Sequence, residues 1–286
     1  MRFLRLFDPW SGKYCTCLVK YSLAPYTGYD HRCQYCYVTS YIKNAFHCRP
    51  KVDFTKYLPN DLKKADNSIP ISISNSSDPY PTIEKKNKLT QKTLKILTDA
   101  NFKILLVTKS DIILRDLDLL SGNNIAVTFT INTHDNVLAK RLEPNAPAPS
   151  KRLYAVGELI THSVPVMVRV DPIIPGLNED VEPLLNELRE LGVKYITTST
   201  YKARKDSLSR IINAFPELEE TLTHKYLDSG EFTNRSWYLP KEERERIMKN
   251  VYGYAQKLGL GFNMCREGLT LPRTSPSCDG GHLLYR

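Results

Sequence analysis

Short, mostly apolar runs alternate along the chain with longer segments in which apolar residues recur every three or four positions. Such runs are typical of buried β-strands, and the three-and-four spacing is typical of an amphipathic helix. The runs predict strands at 19–23, 71–75, 103–108, 125–131, 164–171, 194–198 and 261–265. The segments between them predict helices at 84–100, 111–120, 151–160, 180–191 and 241–258. Gly192 directly follows the fourth of these helices and suits a C-terminal helix cap.

This alternation predicts an α/β fold. Continuous apolar strands indicate a parallel sheet whose two faces are both covered. We expect a single domain built as a partial (β/α)6-type barrel. It would have a short N-terminal extension at 1–17, a barrel core at 18–200, and a C-terminal completion at 201–286 with a helix and a cysteine-containing tail. A flat, doubly wound sheet is the alternative.

The segments that follow the predicted strands are polar. They lie at 75–81, 108–111, 132–135 and 169–178. In a barrel of parallel strands, the loops at the carboxyl ends carry the chemistry. We therefore expect the functional site at this end. The first such loop, 25–36, carries the cysteine pair Cys33 and Cys36.

The composition is that of a globular protein, with 286 residues, 41% hydrophobic and 25% charged. Apolar runs such as 104–107 are far shorter than a membrane span. Residues 1–10 lack the apolar core of a signal peptide, because Arg2, Arg5 and Asp8 interrupt them. These features predict a cytoplasmic protein without a membrane partner.

The charge balance is basic, with 40 lysines and arginines against 31 acidic residues and a net charge of +9. Such a surplus suits a polyanionic partner, nucleic acid above all. Scattered surface lysines of an ordinary enzyme explain it equally well.

Seven cysteines occur in this chain, and those at 15, 17, 33 and 36 are clustered. In a reducing cytosol we expect them to be thiols or metal ligands rather than disulfides. The spacing of Cys33 and Cys36 suits a zinc site shared with Cys15 and Cys17, a redox pair, or an iron–sulfur cluster.

The surrounding sequence favours the cluster. Residues 21–37 resemble the cluster-binding loop of radical S-adenosylmethionine (SAM) enzymes, most closely the branch related to spore photoproduct lyase and often labelled "DNA repair photolyase". A helix-capable stretch at 38–46 follows. The resemblance covers nearly the whole chain and continues through 77–80, 108–110, 115–116, 142–144, 174–176, 265–267 and 278–280.

This resemblance implies a barrel of the radical SAM kind and a definite chemistry. In that family, three cysteines hold a 4Fe–4S cluster, and SAM binds the remaining iron. An electron from the cluster cleaves SAM to methionine and a 5′-deoxyadenosyl radical, which abstracts a hydrogen atom from the substrate. A one-electron donor such as ferredoxin or flavodoxin is the implied partner.

The chain departs from the family at the first cluster position. The motif requires Cys-x-x-x-Cys-x-x-Cys, and Tyr29 occupies the first place. The third ligand is then Tyr29 as a phenolate, Cys17 or Cys15 from upstream, or Cys48 from downstream, unless no cluster forms. We favour Cys17, since a thiolate suits iron better, followed by Tyr29. A strand at 19–23 would nevertheless hold Cys17 roughly 20 Å from the loop.

The remaining cysteines suggest a second metal site. Cys15, Cys265 and Cys278 are the candidates, and they would bind an auxiliary iron–sulfur cluster or zinc that joins the N-terminus to the C-terminal tail. Buried, inert thiols are the alternative. Cys265 also ends a predicted strand and is a candidate catalytic thiol that passes a hydrogen atom to a substrate radical.

The resemblance further implies which residues contact SAM. Ser76 and Asp78 would meet its amino group, Thr130 and Asn132 its ribose, and Lys109 and Arg169 its carboxylate. Each Ser or Thr can instead bond its own backbone. We expect His31 to be an exposed loop residue.

The substrate is the least defined part of the prediction. Basic and aromatic residues at 201–210 and 232–238 could bind phosphates and stack bases, or form a solvated surface and a packed loop. We expect a radical SAM enzyme of the lyase or nucleic-acid-modifying type. The alternative is a zinc- or cluster-bound nucleic-acid-binding protein without radical turnover. The oligomeric state is left open.

Overall fold

The computed structural model describes residues 1–7, 13–74, 76–122 and 124–285. Asn75, at the end of a predicted strand, and part of the predicted N-terminal extension lie outside them. The strands are β1 (Arg5–Phe7), β2 (Lys20–Leu23), β3 (Tyr26–Thr27), β4 (Arg49–Pro50), β5 (Ile71–Ile73), β6 (Ile104–Thr108), β7 (Ile125–Thr130), β8 (Val166–Ile173), β9 (Tyr195–Thr200), β10 (Glu231–Thr233), β11 (Ser236–Tyr238) and β12 (Gly261–Met264).

The helices surround these strands. They are α1 (Phe54–Leu62), α2 (Glu84–Asn87), α3 (Leu89–Asp99), α4 (Leu117–Leu120), α5 (Asn136–Leu142), α6 (Pro149–Thr161), α7 (Glu182–Glu190), α8 (Lys205–Ala214), α9 (Glu219–Thr223) and α10 (Lys241–Lys257). Within the described residues, every helix is too short or too polar to cross a membrane.

One sheet dominates the fold, with eight strands in the order β1-β2-β5-β6-β7-β8-β9-β12. The first strand pairs antiparallel with β2, and the later pairings are parallel. From β2 onward the strands stand side by side in chain order, so each crossover proceeds in the same direction. A doubly wound sheet reverses its strand order at a switch point instead. The sheet is therefore singly wound, as in a partial barrel, and the predicted fold class is confirmed.

Each predicted strand is present, with its ends shifted by a few residues. The short strands β1, β3, β4, β10 and β11 were not predicted, because none of them coincides with a long apolar run. The predicted helix at 84–100 divides into α2 and α3, since Lys88 adopts a left-handed conformation with φ of 51°. The predicted helix at 111–120 begins as the 3-10 helix Asp111–Asp116. The helix-capable stretch at 38–46 forms only the 3-10 turn Val38–Ser40.

The two faces of the parallel strands pack against different partners. On β7, Ile125, Val127 and Phe129 belong to the main hydrophobic core, together with apolar residues of the helices. The intervening Ala126 belongs to a second cluster inside the barrel. This alternation follows from the two-residue repeat of a strand. It explains why the strand is buried along its whole length.

The C-terminal tail fills part of the barrel interior. Leu283 and Leu284 pack with Ala126 and Met167. Upstream of them, Gly280 has φ of +85°, and a Cβ there would lie 2.6 Å from Oγ1 of Thr128. Only glycine therefore fits where the tail passes this strand. The tail fills part of the barrel interior, as the predicted C-terminal completion would. The division of the chain at residues 17 and 200 stays a prediction.

Candidate functional site

The loop that leads into Val38–Ser40 brings the three positions of the cysteine motif together. The hydroxyl of Tyr29 donates a hydrogen bond to Sγ of Cys36 at 2.8 Å. It also interacts with the thiol of Cys33. The three residues are buried in one cluster. The first, second and third motif positions therefore converge in space.

A glycine sets the path of this loop. Gly28 has φ of +71°, and a Cβ at this position would lie 2.5 Å from the carbonyl oxygen of Ala45. The same carbonyl accepts a hydrogen bond from the backbone N–H of Tyr29 at 2.9 Å. A side chain at position 28 would prevent this approach, so the glycine determines where the Tyr29 side chain begins.

Two helices hold the loop in place. At the end of α5, the carbonyl of Leu142 accepts a hydrogen bond from Gln34 N–H at 2.9 Å, and Asn145 N–H donates to the carbonyl of His31 at 3.0 Å. From α8, the guanidinium of Arg210 donates to the carbonyl of Cys36 at 2.5 Å. The segment 142–144, which contributed to the family resemblance, therefore lies against the cysteine loop.

A buried carboxylate lies beneath the cysteines. Glu143 pairs with Arg152 at 2.5 Å and lies 3.9 Å from Nζ of Lys109. It also accepts a hydrogen bond from the hydroxyl of Tyr35. Its Oε1 is 4.0 Å from Sγ of Cys33. The cysteine pair therefore stands over a fixed ionic network.

Burial controls the protonation of the three motif side chains. It raises the pKa of Cys33 to about 12 and raises the pKa of Cys36 above its ordinary value. Burial, and then the two thiols, raise the pKa of Tyr29 well above its ordinary value. The protein alone therefore keeps these groups protonated. A metal ion would reverse that preference, because coordination deprotonates a thiol.

The structure brings Tyr29, rather than the favoured Cys17, to the cysteine pair. The physical reason is topological, since Cys17 precedes β2 and the cysteine loop follows it. Cys17 lies instead beside Cys278, with 3.9 Å between the two sulfurs. Cys48 lies near Asp30 and Arg49, whose charges act on its thiol. Which residues bind a metal stays a prediction.

Cys17 and Cys278 belong to a second group of thiols. The side chain of Cys15 hydrogen-bonds to Cys17, and that of Cys265 hydrogen-bonds to Cys278. The structure thus gathers the candidates for the second metal site and adds Cys17 to them. In the chain as described, no three His, Cys, Asp or Glu side chains already form a metal-binding arrangement.

Asp78, a predicted SAM contact, is engaged within the protein. Its carboxylate accepts hydrogen bonds from the backbone N–H groups of Tyr80 at 2.9 Å and Lys109 at 2.7 Å. It also accepts one from the hydroxyl of Thr108 at 2.7 Å. The prediction that His31 is exposed is wrong, since it is buried with Nδ1 at 3.8 Å from Asp78. Asp78 therefore braces the end of β5 against the end of β6.

The other predicted cofactor residues differ in availability. Ser76 is exposed and hydrogen-bonds to Tyr37 and Tyr41. Lys109 points toward Glu143 beneath the cysteine loop. Arg169 pairs with Asp171 and donates to the carbonyl of Cys278 at 3.4 Å. The predicted contact of Arg169 with a SAM carboxylate would therefore have to compete with Asp171.

Among the predicted cofactor residues, Asn132 has the side chain most available to a ligand. It is 1% exposed, and among the described residues neither the nitrogen nor the oxygen of its side-chain amide has a hydrogen-bond partner. The hydroxyl of Ser74, at the end of β5, is in the same state. Thr130, two positions before Asn132 along the chain, is also buried. Buried polar groups are nearly always satisfied, so two unsatisfied groups at carboxyl strand ends indicate a polar ligand.

A basic and aromatic groove of about 630 Å³ lies beside the cysteine loop. Its lining residues come from the turn after Cys36, the start of α8 and the β10–β11 hairpin: Thr39, Ser40, Arg204, Lys205, Asp206, Ser209, Phe232, Arg235 and Trp237. The predicted phosphate- and base-binding segments at 201–210 and 232–238 therefore meet in one place.

The hairpin fixes the aromatic side of this groove. Phe232 and Trp237 are directly opposed in the β10–β11 pairing, with ring centroids 4.8 Å apart. Phe232 is 63% exposed. The guanidinium of Arg204 donates to the hydroxyl of Ser40 at 2.6 Å, which links the groove to the cysteine loop.

Sequence reasoning missed several residues of the site. Arg152 was not assigned because it lies on a helix far along the chain from the cysteines, and an isolated arginine has no spacing pattern. Arg210 was predicted only as part of the basic segment 201–210, and its contact with the cysteine loop was not. Ser74 lies in the strand end that the resemblance assigned to the SAM amino group, but Ser76 and Asp78 were chosen there instead. Only a short turn separates Phe232 from Trp237. The alternation of residues on either side of 234–235 could therefore have indicated that the two residues pair across a hairpin.

Comparison with known proteins gives relatives over most of the chain. The uncharacterized protein MJ0683 of Methanocaldococcus jannaschii is 32% identical over 210 residues, 72% of this chain and 80% of that protein. The uncharacterized protein ORF301 of Acidianus two-tailed virus is 28% identical over 193 residues, 59% of this chain and 63% of that protein. No protein-family model matches the chain.

Solved structures share the fold. Spore photoproduct lyase complexed with dinucleoside spore photoproduct superposes with a TM-score of 0.67 at 19% identity, over 85% of this chain and 75% of that chain. Streptococcus suis SuiB bound to S-adenosylmethionine gives a TM-score of 0.56 at 14% identity, over 87% of this chain and 51% of that chain. The chain therefore belongs to the same family as the Methanocaldococcus jannaschii protein MJ0683, and it shares the fold of spore photoproduct lyase and SuiB.

Proposed function

We propose that this chain is a radical SAM enzyme whose iron–sulfur cluster is held by Cys33, Cys36 and Tyr29. The observation that carries the proposal is the convergence of these three side chains, with Tyr29 hydrogen-bonded to Cys36 at 2.8 Å. Two thiols and a phenol fit iron as donors, since cysteine holds iron–sulfur clusters and tyrosine binds iron in some haem proteins.

The surroundings of these donors also suit an anionic group. Burial and the carboxylate of Glu143 raise the pKa of Cys33, and burial raises that of Cys36, but the positive charges of Lys109, Arg152 and Arg210 oppose these shifts and favour the thiolate forms. When bound, the cluster and SAM supply the reductive cleavage of SAM and the abstraction of a hydrogen atom from the substrate. The chain's own residues hold the donors, keep the loop fixed between α5 and α8, and exclude water from the buried side.

The polar groups that fit SAM are those left unsatisfied inside the barrel. The amide of Asn132 can both donate to and accept from a ribose hydroxyl, and the hydroxyl of Ser74 is available for another polar group of SAM. Asp78 takes a supporting role, because Tyr80, Thr108 and Lys109 already bond its carboxylate.

We further propose a nucleic acid strand as the substrate class. The groove beside the cysteine loop offers Arg204, Lys205 and Arg235 for phosphates and Phe232 and Trp237 for bases. Proteins usually bind single-stranded nucleic acid through a combination of positive charge and aromatic faces. The similar fold of spore photoproduct lyase complexed with a dinucleoside photoproduct supports the same class. A ferredoxin or flavodoxin would supply the electron.

Anaerobic reconstitution tests the cluster assignment. Wild-type protein should take up iron and sulfide and turn brown, whereas Cys33→Ser should not. Cys48→Ser is the matched control, because that cysteine lies outside the proposed set. Equal iron uptake by wild type and Cys33→Ser would refute the assignment. Zinc without iron in the wild type would favour a nucleic-acid-binding protein without turnover.

A further inference from the structure

A second group of cysteines joins the two ends of the chain. Cys15 and Cys17 precede β2, whereas Cys265 follows β12 and Cys278 lies in the tail. The sulfurs of Cys17 and Cys278 are 3.9 Å apart, although 261 positions separate these residues in the sequence. Cys15 hydrogen-bonds to Cys17, and Cys265 to Cys278. Four thiols therefore form one continuous set.

The neighbours of this group distinguish it from inert core cysteines. Buried structural cysteines behave as small hydrophobic residues. Here Lys20 and Arg169 act on Cys17, and Arg266 acts on Cys15 and Cys265. Lys20 and Arg169 are paired with Asp279 and Asp171, so their positions are fixed by the fold. A set of thiols beside three cations suits a negatively charged metal–thiolate site.

We propose that Cys15, Cys17, Cys265 and Cys278 bind a single zinc ion that fastens the N-terminal segment and the C-terminal tail to the barrel. Four thiolates around zinc give a net charge of about −2. Lys20 and Arg169 are also paired with Asp279 and Asp171, so the three cations offset this charge only in part. This site is independent of the proposed catalytic function.

The sulfur separation favours one zinc ion over an iron–sulfur cluster. With metal–sulfur bonds of about 2.3 Å, the edge of a tetrahedron is about 3.8 Å. The 3.9 Å between Cys17 and Cys278 matches this edge. In a 4Fe–4S cluster each cysteine binds a different iron, so the cysteine sulfurs lie farther apart, and the observed separation disfavours such a cluster. The separation is also well beyond a disulfide bond of about 2.05 Å.

Binding has to draw the remaining sulfurs inward. Within residues 1–7, 13–74, 76–122 and 124–285, no three potential ligands already form a metal-binding arrangement. Cys15 and Cys17 can shift toward the other two sulfurs, because 15–19 lies outside helices and strands. Zinc ligation by Cys265 would exclude its use as a hydrogen-atom donor, since its sulfur would be held as a thiolate.

Metal analysis of the full chain tests the proposal. Wild-type protein should carry about one zinc per chain. Cys278→Ser and Cys17→Ser should lose it, whereas Cys48→Ser should keep it. The double variant Cys33→Ser/Cys36→Ser should also keep zinc while it loses iron, so failure of the zinc site and failure of the cluster are distinguishable.

A measurement on unmutated protein guards against misfolded variants. Cobalt(II) exchanged into the wild type should give the visible bands of a tetrahedral thiolate site. Cys17→His should retain cobalt with a shifted spectrum, since histidine also binds it. Zinc content that is unaffected by Cys17→Ser and Cys278→Ser overturns the proposal. A Cys17–Cys278 disulfide in the isolated protein also overturns it.

Discussion

Tyr29 places a phenol at the position where the resemblance to radical SAM enzymes predicts a thiol. The surrounding protein raises the pKa of this phenol, first by burial and then through the neighbouring thiols of Cys33 and Cys36. Without metal, the neutral hydroxyl is therefore a hydrogen-bond donor to Cys36. With iron bound, the same position would supply an oxygen ligand.

Substitution of Tyr29 tests this role. Tyr29→Cys restores the three-cysteine motif and should increase the iron retained after exposure to a chelator, because a thiol with a pKa of about 8.5 is easier to deprotonate than a phenol of about 10. Tyr29→Phe should decrease it. The measurement is iron per chain after anaerobic reconstitution. Tyr41→Phe, on an exposed tyrosine nearby, serves as the control. Equal iron retention in Tyr29→Phe and wild type would contradict a ligand role.

Asn132 offers a second test at the residue scale. Asn132→Ala should weaken SAM binding roughly tenfold, as expected for the loss of a buried hydrogen-bonding group. Without SAM, the same substitution should leave the free energy of unfolding unchanged or raise it, because the amide is buried without a partner.

Calorimetric titration with SAM and urea unfolding measure these two effects. Asn136→Ala, on an exposed neighbour, is the control. A loss of stability in SAM-free Asn132→Ala would mean that the amide has a structural role instead.

Individual residues were predictable only where spacing carried information. Two residues separate Cys33 from Cys36, which is the spacing of a chelating pair. Arg152 stands more than a hundred positions from them, and its contact with Glu143 depends on the packing of α6. Cys17 illustrates the same limit, because its partner Cys278 lies near the other end of the chain.

At the scale of elements, the support of the cysteine loop depends on the ion pair of Glu143 with Arg152. Their side chains are 0% and 1% exposed. Glu143→Gln leaves Arg152 without its carboxylate partner and should lower the free energy of unfolding by about 3–5 kcal/mol. Glu217→Gln removes the exposed pair with Arg141 and should cost far less, because solvent screens an exposed ion pair. Urea unfolding of metal-free protein compares them, and equal losses would refute the structural role of the buried pair.

The β10–β11 hairpin supplies the aromatic wall of the groove. Phe232→Ala should weaken the binding of a single-stranded oligonucleotide roughly tenfold, since stacking of a base on an aromatic ring contributes about 1–3 kcal/mol. Fluorescence anisotropy measures this affinity. Tyr154→Ala is a matched control, because Tyr154 is 62% exposed on α6 and Phe232 is 63% exposed. Unchanged binding in Phe232→Ala would remove the groove from the proposed substrate path.

The strands of the sheet were predictable because they are buried on both sides and therefore continuously apolar, as in β7. Helix ends were less predictable. The break between α2 and α3 depends on the left-handed backbone of Lys88. A lysine does not require that conformation, so the sequence gives no signal for the break. The hairpin is too short to give an apolar run, so its strands were not predicted, although residues 232–238 were predicted as a binding segment.

At the scale of the whole molecule, the interior of the barrel has an apolar part and a polar part. The tail residues Leu283 and Leu284 pack with Met167 on β8, whereas Arg169 and Asp171 form an ion pair farther along the same strand. The cysteine loop and the groove lie beyond the carboxyl ends of the strands. The basic residues that line the groove, Arg204, Lys205 and Arg235, lie on this side.

Formation of 5′-deoxyadenosine tests the central claim most directly. Protein purified and reconstituted without oxygen is incubated with SAM and dithionite, and the product is quantified together with iron. We expect about four irons per chain and 5′-deoxyadenosine from the wild type, and neither from Cys36→Ser. Wild-type protein that contains zinc but no iron, or that holds iron yet leaves SAM intact, would contradict the account.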